Sequence, residues 1–198
     1  EAPCPVTSAG TRPKAAAMCP MPCAVTLTIV CSGRPKTRSG ARAIHHLCAD
    51  PRFQQLRRNS GDPAIVDVAI IGAGVAGMAA ALAARKAGLS CALLEAAEPF
   101  STLVNFPKAK PIYAYPTSMA PAGELKITAT LKEDLLEELR SQTTGLGIHP
   151  RIARVDLIER RGEFFELFLP EQESLRARRV IVAIGRSGNF RRLGVAGE

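Results

Sequence analysis

The sequence predicts an α/β fold, a parallel sheet covered by helices, and two stretches carry that prediction. Residues 66–95 read as strand, glycine turn, helix and second strand, and residues 180–185 read as a further buried strand ending in another glycine turn. Val66, Val68, Ile70 and Ile71 form a short apolar run suited to a buried parallel strand. It breaks at Gly72-Ala73-Gly74-Val75-Ala76-Gly77, a Gly-x-Gly-x-x-Gly turn. Each glycine answers a separate steric need. Gly72 permits the tight turn, Gly74 lacks the Cβ that would hold a phosphate off the main chain, and Gly77 lets the following helix pack closely on the strand. That helix, from about Val75 to Ala87, points its free N–H groups and positive dipole end at the phosphates. Gly88 ends it.

The second strand, Cys91 to Leu94, finishes on Glu95, eighteen positions after Gly77. An acid about 20 residues beyond the glycines accepts hydrogen bonds from a ribose diol. A glycine turn alone is weak evidence. Here the strand before it, the small-residue helix, the terminating glycine and the acid agree, and together they predict a Rossmann-like dinucleotide-binding unit.

Composition excludes several other classes. No stretch of the 198 residues approaches the roughly 18 unbroken apolar residues of a membrane span. The net charge of +8 is concentrated in residues 1–62, which carry nine Lys/Arg against three Asp/Glu, while residues 63–198 carry seventeen against fifteen. Phe53 is the single Phe, Tyr or Trp among the leading charges, too few for a stacking platform, so a nucleic-acid surface is not indicated. Five of the six cysteines, Cys4, Cys19, Cys23, Cys31 and Cys48, also fall in this leader. The Cys19-Pro-Met-Pro-Cys23 spacing matches neither a zinc knuckle nor a redox CxxC, and no metal site is expected. Cys91 reads as a small buried hydrophobe.

Residues 1–40, rich in Pro, Ala, Ser, Thr and Gly, read as linker or disordered chain. The apolar run Ala24–Cys31 resembles a signal-peptide core, but the flanking Pro20, Pro22 and Arg34 and the lack of a cleavage site count against secretion. Residues 41–60 can form a helix with Phe53 and Leu56 on one side. The boundary is set at 62/63, with a leader at 1–62 and a nucleotide-binding domain at 63–198, and deleting residues 1–60 is expected to leave nucleotide binding unchanged.

Beyond Glu95, residues 96–123 are irregular and hold Phe100, Phe106, Tyr113 and Tyr115. Ordered contact with a ligand or neighbouring domain is expected of them. A helix over Lys132–Gln142 buries Leu135, Leu136 and Leu139 and leaves Glu133, Asp134, Glu137 and Glu138 mainly solvated, so these acids are poor catalytic candidates. Ile152–Ile158, Phe164–Leu169 and a return at Ser174–Ala177 read as a β-meander, followed by the separate strand Val180–Ile184.

With these motifs in place, residues 64–198 resemble the FAD domain of pyridine-nucleotide-disulfide oxidoreductase-type flavoproteins, and are most similar to the thioredoxin-reductase-like branch that includes bacillithiol disulfide reductases. The resemblance implies that Gly72, Ala73, Gly74, Val75, Ala76, Gly77 and Glu95 hold the FAD pyrophosphate and adenosine ribose. It implies that Val155 holds the adenine through its backbone and that Ala183, Ile184 and Gly185 form the turn beside the FAD. Leu193–Glu198 resembles the segment that follows, and the loop from Phe106 to Pro116, with Tyr113 and Tyr115, corresponds to the region near the flavin ring. Ile184 stands where the family carries Thr, Ala196 stands where it carries Pro, and no CxxC or CxxxxC follows Glu95.

The activity implied is electron transfer from NAD(P)H through flavin to a small-molecule or protein disulfide or another acceptor, in a cytoplasmic enzyme. A homodimer of the intact protein is left open. The resemblance also implies that the chain stops where the NAD(P)H domain would begin, so that this part alone would not turn over. No catalytic acid, base or nucleophile is assigned. Two alternatives remain: an NAD-dependent dehydrogenase, since Glu95 also suits the NAD ribose, and a non-catalytic FAD-binding module.

Overall fold

The structure, a computed structural model, describes residues 28–30, 36–37, 40–59, 62–113, 123–170 and 172–185. Its elements are β1 (Thr28–Val30), β2 (Lys36–Thr37), α1 (Gly40–Ala49), α2 (Pro51–Asn59), β3 (Ile65–Ile71), α3 (Val75–Lys86), β4 (Cys91–Glu95), α4 (Ser101–Val104), α5 (Lys132–Gln142), β5 (Arg151–Ile152), β6 (Leu157–Arg161), β7 (Phe164–Phe168) and β8 (Leu175–Val182). Four strands in the order β8-β3-β4-β5 run parallel. The outer edge of β8 is shared, with its first half pairing antiparallel to β7 and its second half to β1. A hairpin joins β6 to β7. The result is the predicted Rossmann-like α/β sheet with a meander.

Apolar residues sort onto the two faces of this sheet. Val68, Ile70 and Ile181 pack with α1, α2, α3 and α5 through Ile44, Phe53, Met78, Leu135 and Leu139. Ala69, Leu94, Ala177 and Val180 pack on the other face against the meander residues Phe165, Leu167 and Leu169. The alanine content of α3 has a packing reason. The helix lies between the sheet and α1, burying Ala76, Ala80, Ala81 and Ala84, and small side chains let it contact both neighbours.

The helix expected over residues 41–60 is present as two, α1 and α2, which place Ile44, Leu47 and Phe53 in the core. Few apolar residues suffice here because they share a face at helical spacing, as Ala43, Ile44 and Leu47 do. Packing therefore continues across the boundary set at 62/63. The arginine of α2 at position 57 also reaches the sheet, with Nε 3.2 Å from the Asp67 carboxylate. Asp67 is buried and held by Arg178, 3.3 Å away, and by reciprocal bonds with Ser90: the Asp67 N–H donates to Ser90 Oγ, and the Ser90 N–H donates to Asp67 Oδ2. Thr28–Val30, inside the run that resembles a signal-peptide core, is a strand paired antiparallel with β8 on one side and β2 on the other. Residues 1–27, with Cys4, Cys19 and Cys23, lie outside the described residues, as does Cys31.

Two strand assignments also change. The segment expected over Ile152–Ile158 divides, because Arg151–Ile152 pairs with β4 while Leu157–Arg161 pairs with β7. The meander return and the last buried strand are one continuous strand, β8. Arg178 and Arg179 disguise that continuity in the sequence. Both are buried, and Ala177 and Val180, three residues apart, pack into the same cluster, so the ordinary alternation of faces is interrupted between them.

Candidate functional site

The site lies outside the C-terminal end of β3. The chain runs from β3 to β4 to β5 on one side and returns to β8 on the other, so β3 and β8 meet where the strand order reverses, the place where open α/β sheets form a ligand crevice. Two glycine turns are brought together there. Gly72 has φ +101°, a conformation that disfavours any side chain, and a Cβ built on it would sit 2.6 Å from the Ala183 carbonyl oxygen and 3.1 Å from the Ile184 Cα. The Ala183 N–H donates to the Ile71 carbonyl at 2.7 Å, fixing the second turn against the first. Ala183 is buried, Ile184 is exposed and Gly185 has φ +66°.

The other two glycines of the motif differ sharply. A Cβ on Gly77 would lie 1.8 Å from the Gly72 carbonyl oxygen, so α3 meets the turn in backbone contact. A Cβ on Gly74 would meet nothing within 4 Å. The protein itself therefore demands glycine at 72 and 77 but leaves open space over 74. Gly74 is the N-cap of α3 and supplies no side-chain cap, so the first-turn N–H groups at Val75, Ala76 and Gly77 gain no capping bond and are oriented toward that open side. This arrangement fits the pyrophosphate of a dinucleotide, which needs backbone donors, a positive dipole end and no obstructing side chain.

Glu95 ends β4 next to the turn, because β4 pairs with β3 in register Ile71 to Leu94. Its carboxylate accepts the Ala73 N–H at 2.6 Å and the Ala97 N–H at 3.2 Å. The acid is thus tied to the first turn by its own chain, at the rim where a ribose would lie. The Glu95 carbonyl accepts the Ala153 N–H at 2.8 Å, which brings the segment containing half-buried Val155 toward the same end of β4. Tyr113 is 83% exposed, and Tyr115 and Leu193–Glu198 lie outside the described residues.

Phe100, expected from the sequence to contact a ligand or neighbouring domain, instead contacts the glycine turn of its own domain. It is fully buried at φ +59°, a left-handed conformation unusual for a bulky residue, and its N–H donates to the Ala73 carbonyl at 3.0 Å. Phe100 thereby braces the glycine turn from behind. Its burial signal is ordinary for an aromatic, and nothing in the local sequence announces a positive φ. Cys91, expected to be a buried hydrophobe, is half-buried and packs against the core, and desolvation pushes its thiol pKa up to about 12. Among the described residues there is no cluster of three or more metal-ligating side chains, and no helix is long and apolar enough to cross a membrane.

Fold and turn geometry define a dinucleotide-binding domain. The model of the pyridine nucleotide-disulphide oxidoreductase family matches residues 66–198, and the chain belongs to that family. Among solved structures it is similar to the thioredoxin reductase of Streptococcus pyogenes, with 28% identity and a TM-score of 0.50 over 67% of this chain and 38% of that one. The thioredoxin reductase of Lactococcus lactis is also 28% identical, with a TM-score of 0.49 over 67% of this chain and 39% of that one. OTEMO, solved in complex with FAD and NADP, is 23% identical, with a TM-score of 0.50 over 67% of this chain and 28% of that one. The chain thus spans less than two-fifths of the length of each. No curated protein matches significantly.

Proposed function

We propose that the chain is the FAD-binding part of an oxidoreductase that takes electrons from NAD(P)H and passes them to a disulfide or another acceptor. The observation that carries this reading is the backbone contact between Gly72 and Ala183. A simple dehydrogenase continues from its first βαβ unit with further alternating units, whereas here a meander intervenes and β8 returns to set a second glycine turn against the first. The thioredoxin reductases among the similar structures, and the FAD and NADP bound to OTEMO, support the same choice.

In this reading the N-terminal turn of α3 and Ala73–Gly77 hold the pyrophosphate, Glu95 the adenosine ribose, the segment around Val155 the adenine, and Ala183–Gly185 the flanking turn. A bound flavin supplies two-electron redox chemistry, and the protein's part is to position it and exclude competing reactions. Cys91 takes no part as a nucleophile, because its buried thiol stays protonated far above neutral pH.

Titrating the purified chain with FAD and with NAD, following flavin fluorescence and calorimetric heat, tests the reading. Saturable binding with a clear preference for FAD is expected. Tighter binding of NAD than of FAD would replace it with the dehydrogenase alternative.

A further inference from the structure

Two clefts flank α2, away from the glycine turns. One, of about 230 Å³, is lined by Arg52 and Leu56 of α2, Arg160 and Glu163 of the β6–β7 hairpin, Phe165 of β7 and Arg179 of β8. Arg179 is the unusual member. It is only 5% exposed, its guanidinium lies 5.6 Å from the centre of the Phe53 ring, and one of its Nη groups donates to the Arg178 carbonyl at 2.7 Å. Its Nε is buried with no hydrogen-bond partner.

No ion pair among the described residues joins Arg52, Arg160 or Arg179 to a carboxylate. The neighbouring Arg178 shows what the fold does when it neutralises a buried arginine from within, since Asp67 lies 3.3 Å from it. Arg179 has no such acid. A guanidinium cannot shed its proton to escape burial, so the cleft carries a fixed positive charge at its floor. Arg160 uses Nε on the Gly162 carbonyl at 3.0 Å, which leaves its Nη groups for another partner.

We propose that this cleft binds a small phosphate-bearing anion, with Arg179 at the floor and Arg52 and Arg160 at the rim. Three guanidinium groups against the single carboxylate of Glu163 favour a doubly charged group over a monocarboxylate, and the planar fork of arginine matches phosphate oxygens in pairs. The volume is below the usual 300–1,000 Å³ of sites for drug-sized ligands, which excludes a whole dinucleotide and suits a phosphate monoester. Arg179 stands opposite Val68, four residues before Gly72 along β3. That places it about 13 Å along the strand from the glycine turn, so the two anion sites are separate.

Calorimetric titration of the full chain with inorganic phosphate tests the proposal, using the wild type, Arg52→Gln, Arg160→Gln, Arg179→Met and Gly74→Val. Saturable binding is expected in the wild type and in Gly74→Val. The two rim variants, at exposed positions, should each weaken it about tenfold, and Arg179→Met should abolish it. If Arg179→Met fails to fold by circular dichroism, the rim variants decide the matter. Absence of saturable binding in the wild type, or binding lost in Gly74→Val and kept in both rim variants, would overturn the proposal.

Discussion

Adding the same methyl group at Gly77 and at Gly74 should have very unequal consequences, and the structure says why. At Gly77 the new Cβ would lie 1.8 Å from the Gly72 oxygen, 3.0 Å from the Gly72 carbonyl carbon and 3.5 Å from Ile70 Cγ2. Relieving the first contact to even 3.0 Å moves α3 off the turn by more than an ångström, and the struck atom is backbone. Overpacking of this kind costs about 1–3 kcal/mol, against which the better helix propensity of Ala over Gly returns up to ~1 kcal/mol. A net loss of about 1–2 kcal/mol follows, with a fall in Tm of roughly 2–4 °C per kcal/mol for a chain of this size. At Gly74, where φ is −75° and ψ −174°, the backbone is extended and the Cβ meets nothing. Gly74→Ala should therefore lose only a few tenths of a kcal/mol from the weaker N-cap. Gly74→Val should still fold but lose FAD affinity several-fold, because its branched side chain fills the space the pyrophosphate needs. Urea unfolding followed by circular dichroism measures the stability change, and flavin fluorescence titration measures affinity. A Gly77→Ala chain as stable as wild type would refute the packing argument, and a Gly74→Val chain that binds FAD as tightly as wild type would refute the placement of the phosphate.

Phe53→Ala should cost about 3–5 kcal/mol, because Phe53 is fully buried; removal of residues 1–60 should destabilise the domain in urea melts far more than removal of residues 1–39, and equal stability of the two truncations would show that α1 and α2 contribute nothing. The Cys91 thiol should resist alkylation at pH 8 in the folded chain and react on unfolding. Since its pKa rises from 9.0 to about 12 on folding, its contribution to stability is intact below pH 9 and falls away as pH climbs toward 12, so chevron or urea midpoints of wild type and Cys91→Ala should converge over that window.

What was legible in the sequence is what local chemistry determines. The turn at Gly72–Gly77, the Ala-rich α3, the strand ending on Glu95 and the helix over Lys132–Gln142 all follow from short-range period and from residue types with narrow steric uses. The mutual position of Gly72 and Ala183 was open only to resemblance, since 111 residues separate them and no spacing rule specifies which edge of β3 the last strand joins. Buried charge was the least legible feature. Arg176, Arg178 and Arg179 look like a solvated run, and that appearance splits β8 into two strands on paper. The fold accommodates Arg178 through Asp67, an acid placed mid-strand in β3 that reads as a blemish in an apolar run. A long-range pair of this sort explains both anomalies at once, and neither can be recognised from its own neighbourhood. Arg179 fits the same logic except that no carboxylate among the described residues pairs with it. The domain thus neutralises one buried arginine by folding and leaves the adjacent one to be neutralised by something that binds.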